Sequence, residues 1–204
     1  MSTRFSSAPA LPCVLQARDT VLVAKIEQIS EHHSYGLYDM IQRSTKNRCA
    51  SRFIYYSELD MEAKMLGIPT YGYQNAESNL EQLTKLYEKL GVRYLLTIKV
   101  LRQQRGESYA FYTREELYMN SASTFPDNLD RVAQVAFQLY DLANQELISS
   151  FIAETTINSW ASQNRNGDEH RYNFGSIEFA LSTAIGKGIK RIYKNCGCNW
   201  RAYP

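Results

Sequence analysis

The sequence predicts a single α/β domain built on one mixed sheet, in two or three layers. The expected order is β-α-β-α-β, then an antiparallel meander, then a C-terminal helix. Three observations predict it. Short β-branched runs alternate with stretches of helical period through the first hundred residues, which marks a parallel start to a sheet. Later runs have a period of two and are joined by short turns, which marks antiparallel pairing. The chain has 204 residues, 44% of them apolar and 22% charged, which suffices for one domain with its own core and shows no break in composition that would mark a second.

Thr20–Gln28 (TVLVAKIEQ) opens the sheet, and its unbroken apolar run from Val21 to Ala24 suits a strand buried on both faces. Ser34 caps a helix over 35–48 whose apolar face is Leu37, Met40, Ile41 and Ser44. Phe53–Ser57 is a second strand. Asp60 caps a short helix over 61–66, which Gly67 and Pro69 stop. After a tyrosine-bearing loop at 70–74, Ser78 and Glu81 form a capping box for a helix carrying Leu80, Leu83, Tyr87 and Leu90 and closed by Gly91. Arg93–Leu101 (RYLLTIKVL) is the strongest strand signal in the chain.

A polar turn at 103–107 leads to a strand at Tyr109–Met119 and a loop at 121–130. Val135, Phe137 and Leu139 then alternate with Ala136, Gln138 and Tyr140, and a hairpin turn at 141–145 returns the chain through Leu147, Ser149, Phe151 and Ala153. Residues 161–173 form the longest polar loop. Ser176 or Asn173 caps the last helix, where Ile177, Leu181, Ala184, Gly188 and Ile192 share a face. Its C-terminal half holds Lys187, Lys190, Arg191 and Lys194, where cations complement the helix dipole. Gly186 and Gly188 allow this helix close to the sheet. Residues 1–18 form a flexible arm, 19–195 the domain and 196–204 a tail.

Several function classes lose their support. No apolar run approaches the roughly 18 residues of a membrane-spanning helix. The net charge of +2 is too small to indicate nucleic acid by itself; a basic, aromatic C-terminal segment keeps single-strand binding as a further alternative. No GxSxG, HExxH or SxxK motif is present, and Gly186-Lys187-Gly188 lacks the preceding strand of a phosphate loop. Glu115 and Glu116 alternate across a strand and cannot share a proton. No catalytic, cofactor or metal residues are assigned, and His32, His33 and His170 are read as solvated. Cys13, Cys49, Cys196 and Cys198 stand either as two disulfides or as four separate thiols; Cys196 and Cys198, with only Gly197 between them, do not bridge each other comfortably. On the strand at 109–119, Tyr112, Arg114 and Tyr118 share the more polar face and have the chemistry of interface anchors.

Four segments then carry a resemblance. VLVAKI leads into a helix, RFIYYSELD is a strand with aromatic positions, LEQLTKLYEKLGVRYLLTIKV is a helix running straight into a strong strand, and VAFQLYDLANQELISSFIAET is a hairpin whose turn bears an aspartate. Over about residues 20–193 this resembles the N-terminal domain shared by TolB, CsgG-like envelope proteins and the lipoprotein activators of penicillin-binding proteins. The chain departs from that pattern at Val92-Arg93 and Ala143-Asn144 and lacks the long hairpins of a secretion pore. The resemblance implies a non-enzymatic bacterial cell-envelope accessory protein that binds another envelope protein. It implies a periplasmic location, or the periplasmic side of the outer membrane, with a lipid anchor on a cysteine upstream of Met1; the cytoplasm is the alternative location. The alternative function is a small-molecule-binding protein or enzyme that uses the 161–173 loop as a lid.

Overall fold

Strands form where β-branched and aromatic residues cluster, and helices where the apolar period lengthens. The structure, a computed structural model, describes residues 1–6, 15, 19–45, 51–68, 76–105, 130–163, 169–172 and 175–193. Six strands make the main sheet: β1 Ser2–Ser6, β2 Thr20–Val23, β3 Arg52–Tyr55, β4 Tyr94–Arg105, β5 Arg131–Asp141 and β6 Glu146–Ile157. Their spatial order is β1-β6-β5-β4-β2-β3. β2 lies parallel between β3 and β4, so that Val23 is opposite Tyr55 on one side and Leu96 on the other. The pairs β4–β5, β5–β6 and β6–β1 are antiparallel. The helices are α1 Glu31–Thr45, α2 Asp60–Met65, α3 Ala76–Leu90 and α4 Ile177–Tyr193. The mixed α/β class with a C-terminal helix read from the sequence is the class found, and the strands near Val23, Ile54 and Leu96 form the expected parallel trio.

Two buried clusters show where the layers lie. On one face, α1 and α4 bring Tyr38, Ile41, Ala184 and Ile189 against Val23, Leu96, Phe137 and Phe151. On the other, Ala63 of α2 and Leu83 and Leu86 of α3 pack with Leu22, Ile54 and Leu95. Helices therefore cover both faces at the parallel end. Over β5, burial alternates strictly from Arg131 to Leu139, with every second residue only half-buried, because a single helix layer covers this part. The continuous apolar run of β2 and the alternation of β5 have the same cause, the number of faces covered.

α4 approaches the sheet closely at Gly188. A Cβ placed there would stand 2.2 Å from Cζ of Phe137. Gly186, by contrast, faces open space, with nothing within 4 Å of such a Cβ. Phe137 stacks on Phe151 with ring centroids 4.9 Å apart. Arg191 does more than complement the helix end: its guanidinium lies 4.8 Å from the ring centre of Phe5 and 5.4 Å from that of Phe151, clamping β1 to α4.

The structure corrects several sequence readings. Residues 2–6 are not a loose arm but an edge strand paired with β6, with Thr3 opposite Thr155 and Phe5 opposite Ala153. Residues 161–163 and 169–172 of the expected polar loop are strand instead. Trp160–Gln163 (β7) and Glu169–Tyr172 (β8) pair antiparallel, and the Asn166-Gly167 dipeptide between them is a hairpin signal. β4 continues to Arg105 through the expected polar turn, because Gln103, Gln104 and Arg105 still pair with β5 beyond a bulge between Val100 and Arg102.

Helix starts also shift. α1 begins at Glu31, with the Ser30 hydroxyl accepting from His33 N–H at 3.4 Å, whereas Ser34 is buried inside the helix. Asp60 is the first residue of α2 rather than its cap, and α3 begins at Ala76, which places Ser78 in its first turn. α3 buries Leu83 and Leu86, while Tyr87 is exposed. Ser176 does cap α4, accepting from Phe179 N–H at 3.1 Å. The expected strand at Tyr109–Met119, the loop at 70–74, the four cysteines and the 196–204 tail lie outside the described residues.

The close approach of α4 yields a test. Gly188→Ala is expected to lower stability by about 1–3 kcal/mol, since the methyl must displace a stacked aromatic ring. Gly186→Ala, with room for its methyl, is expected to leave stability unchanged or raise it slightly. Urea denaturation of the two variants side by side checks this.

Candidate functional site

In an open sheet with parallel strands, ligands favour the crevice beyond the strand ends where neighbouring connections leave in opposite directions. Here that place is the C-terminal end of β2 beside β4. The chain leaves β2 through α1 towards β3 and leaves β4 towards β5 on the other side. β2 does not stop abruptly at Val23. Glu27 N–H donates to the Ile98 carbonyl at 3.0 Å, and Val100 N–H donates to the Glu27 carbonyl at 3.3 Å. Gln28 then turns away with a φ of 69°, a left-handed conformation that a non-glycine side chain rarely adopts.

A groove of about 680 Å³ opens at this point. The first half of α1 forms one wall, with Gly36 and Leu37. The first turns of α4 form the other, with Phe179 and Leu181, and the Gln28–Ser30 turn and Gln103 of β4 close one end. Its lining is mainly apolar. Phe179 on its rim is 54% exposed, a large aromatic left in solvent. His32 and His33 reach the groove from the first turn of α1. The Ser30 hydroxyl lies 3.2 Å from Nδ1 of His33, a contact that belongs to the helix cap they share.

Beneath the groove, a polar network fixes α1 to the sheet. The buried Ser34 hydroxyl accepts from Ile26 N–H at 2.8 Å and lies 2.6 Å from the Tyr55 hydroxyl. The phenols of Tyr55 and Tyr56 both donate to Glu31 Oε1, at 3.3 and 2.7 Å, and Lys25 closes the set with Nζ 3.1 Å from Glu31 Oε2. Tyr38 stacks on Tyr55 with centroids 4.8 Å apart and donates to Glu58 Oε1 at 2.9 Å. Burial, reinforced by the Glu31 carboxylate, pushes the Tyr55 phenol up to about 12, against the opposing bond with Ser34. Tyr38 and Tyr56 are raised further by burial and by their carboxylate partners. Burial alone would raise Glu31, but hydrogen bonds from Tyr56 and Lys25 outweigh it and hold this carboxyl below its ordinary value.

The hairpin aspartate of the sequence motif has a structural task. Asp141 Oδ1 accepts from Ala143 N–H at 2.9 Å and Asn144 N–H at 3.2 Å, which shapes the turn. Arg93 sits between carboxylates, 3.6 Å from Asp19 and 3.9 Å from Asp141, and joins the starts of β2 and β4 to that turn. The interface candidates Tyr112, Arg114 and Tyr118 lie outside the described residues. The sequence reading passed over a second exposed apolar feature: Met61 and Met65 of α2, one helical turn apart, are 74% and 80% exposed. Their i,i+4 spacing was visible, but only the structure shows that Ala63 faces the core and turns both methionines outward. Among the described residues, no helix is long and apolar enough to cross a membrane.

No family model matches the chain, and no curated protein does. Solved structures share its fold loosely. A PelC dodecamer from Paraburkholderia phytofirmans is 14% identical over 94% of this chain and 96% of its own, with a TM-score of 0.46. Lipoprotein GNA1162 from Neisseria meningitidis is 12% identical over 87% of this chain and 97% of its own, with a TM-score of 0.44. TolB from Acinetobacter baumannii is 10% identical over 96% of this chain and 31% of its own, with a TM-score of 0.39. A lipoprotein and a TolB are thus among the structures this fold resembles. Likeness at this level carries no argument about activity.

The tyrosine network makes stability depend on alkaline pH. The folded protein keeps phenol protons at pH values where an unfolded chain releases them, so this stabilisation is complete below about pH 10 and is lost as pH rises. The urea midpoint is expected to fall between about pH 10 and the Tyr55 value of about 12, and Tyr55→Phe is expected to flatten that fall. A midpoint independent of pH across this window contradicts the network.

Proposed function

We propose that this is a non-enzymatic accessory protein of the bacterial cell envelope, lipid-anchored on the periplasmic side, which works by binding another protein. The observation that carries the binding role is the methionine pair of α2. Met61 and Met65 project into solvent from a helix whose intervening residue, Ala63, is fully buried. Lys64 and Asp60, paired across the same turn, border them with charge. An apolar pair with a polar margin has the make-up of a small interface core. Methionine suits it because its unbranched, polarisable side chain adapts to a partner's shape. The envelope assignment is supported by the four sequence segments that resemble the TolB, CsgG-like and lipoprotein-activator domain.

A photo-reactive amino acid placed at 61 or 65 in the native host is expected to give one discrete crosslinked species that is absent when the probe replaces exposed Lys187 on α4. Met61→Glu with Met65→Glu should abolish the partner's co-purification while shifting stability by no more than about 0.5 kcal/mol, as exposed substitutions do. Equal crosslinking at 61, 65 and 187, or undiminished co-purification of the double variant, defeats the binding surface. Recovery of the protein in the cytosolic fraction defeats the envelope assignment.

A further inference from the structure

We propose that the groove between α1 and α4 is a binding site for a small, uncharged, mainly apolar molecule with one hydrogen-bonding end. This site is separate from the α2 surface: α1 and α4 cover one face of the sheet and α2 the other. The groove is about 680 Å³, within the roughly 300–1,000 Å³ range of small-molecule sites. It is walled by two helices and closed at one end by the Gln28–Ser30 turn and Gln103, which suits an enclosed molecule better than a helix passing through.

Gly36 strengthens the assignment. It sits inside α1, where glycine costs about 1 kcal/mol relative to alanine. No packing demands it, because a Cβ at this position would meet nothing within 4 Å. What a side chain would do is fill the groove that Gly36 lines. The vacancy is held open from both sides: Ser34, Tyr55 and Glu31 pin the start of α1, and Ser176 caps α4. The positive φ of Gln28 and the bulge between Val100 and Arg102 fall at the same end of the groove. Backbone irregularities of both kinds concentrate at functional sites.

The lining sets the class of ligand. Ile29, Leu37, Phe179 and Leu181 offer apolar contact, and Gln28 and Gln103 offer donors and acceptors to one polar end. Among the described lining residues the ionisable groups are two imidazoles, His32 and His33, and one carboxylate, Glu178, so neither sign of charge dominates the groove. An uncharged ligand follows.

The test titrates the full chain with 1-naphthol, 1-naphthoate and 1-naphthylmethylamine at neutral pH, read by backbone amide shifts. Saturable shifts with 1-naphthol, concentrated at residues 28–37 and 178–182, are expected, with weaker binding of both charged probes. Gly36→Leu, which fills the groove without a backbone clash, should weaken 1-naphthol binding about tenfold or more while leaving Tm unchanged or raised. Should that variant lose Tm, Ser182→Leu on the facing wall decides by the same criterion. Absence of saturable shifts with 1-naphthol, or undiminished binding in the groove-filling variant, overturns the site. Tighter binding of either charged probe overturns the ligand class. None of these results bears on the α2 surface, whose failure would show in the crosslinking and co-purification tests.

Discussion

The fold depends on one strand serving two kinds of neighbour. β4 is parallel to β2 on one side and antiparallel to β5 on the other. It must also pass from a region covered by helices on both faces to one covered on a single face. Its sequence meets both demands in order. Tyr94 to Ile98 are buried on both faces, and thereafter Lys99 points to solvent while Val100 stays inside. The bulge after Val100 marks where this change is complete. A strand apolar throughout would leave exposed hydrophobic surface beyond Ile98, and one that alternated throughout would put polar groups against α3.

Burying so many strand ends leaves polar groups that need partners, and the chain supplies them from side chains. Ser34 takes the Ile26 N–H, Asp141 takes two turn amides, and Glu58 takes both the Tyr55 N–H and the Tyr38 hydroxyl. Each bond contributes modestly, about 0.5–1.5 kcal/mol net, but loss of one partner strands a buried donor at higher cost. The tyrosines around Glu31 and Glu58 are therefore structural. Their phenols fill apolar space with the ring and satisfy carboxylates with the hydroxyl, a combination available to no aliphatic residue.

The two candidate surfaces follow from the layering. Three layers at the parallel end leave α2 as an outer element, short and free to present its methionines. The same three layers place the starts of α1 and α4 side by side over the end of β2 and β4. A groove forms there because neither helix fills the gap, and Gly36 keeps it wide. One face thus offers an adaptable apolar contact and the other a groove, two surfaces suited to different kinds of ligand.

The sequence by itself determined the mixed α/β class, the parallel trio and the α4 face, because each rests on local period, and it placed a close approach within Gly186–Gly188, which the structure assigns to Gly188 alone. It also showed the Asp141 turn, whose hydrogen bonds are local. Tertiary structure alone decided which residues extend beyond their periodic runs. β1 exists because an edge of β6 and the Arg191 clamp were available, and Gln103 to Arg105 stay in β4 because β5 continues beside them. Ser34 and Tyr87 show the same limit on helices. A hydroxyl can cap or be buried, and a tyrosine can face in or out, and only the distant partner settles which. The groove and the methionine surface were illegible for this reason: each is a gap or an uncovered face, defined by what other elements leave unfilled.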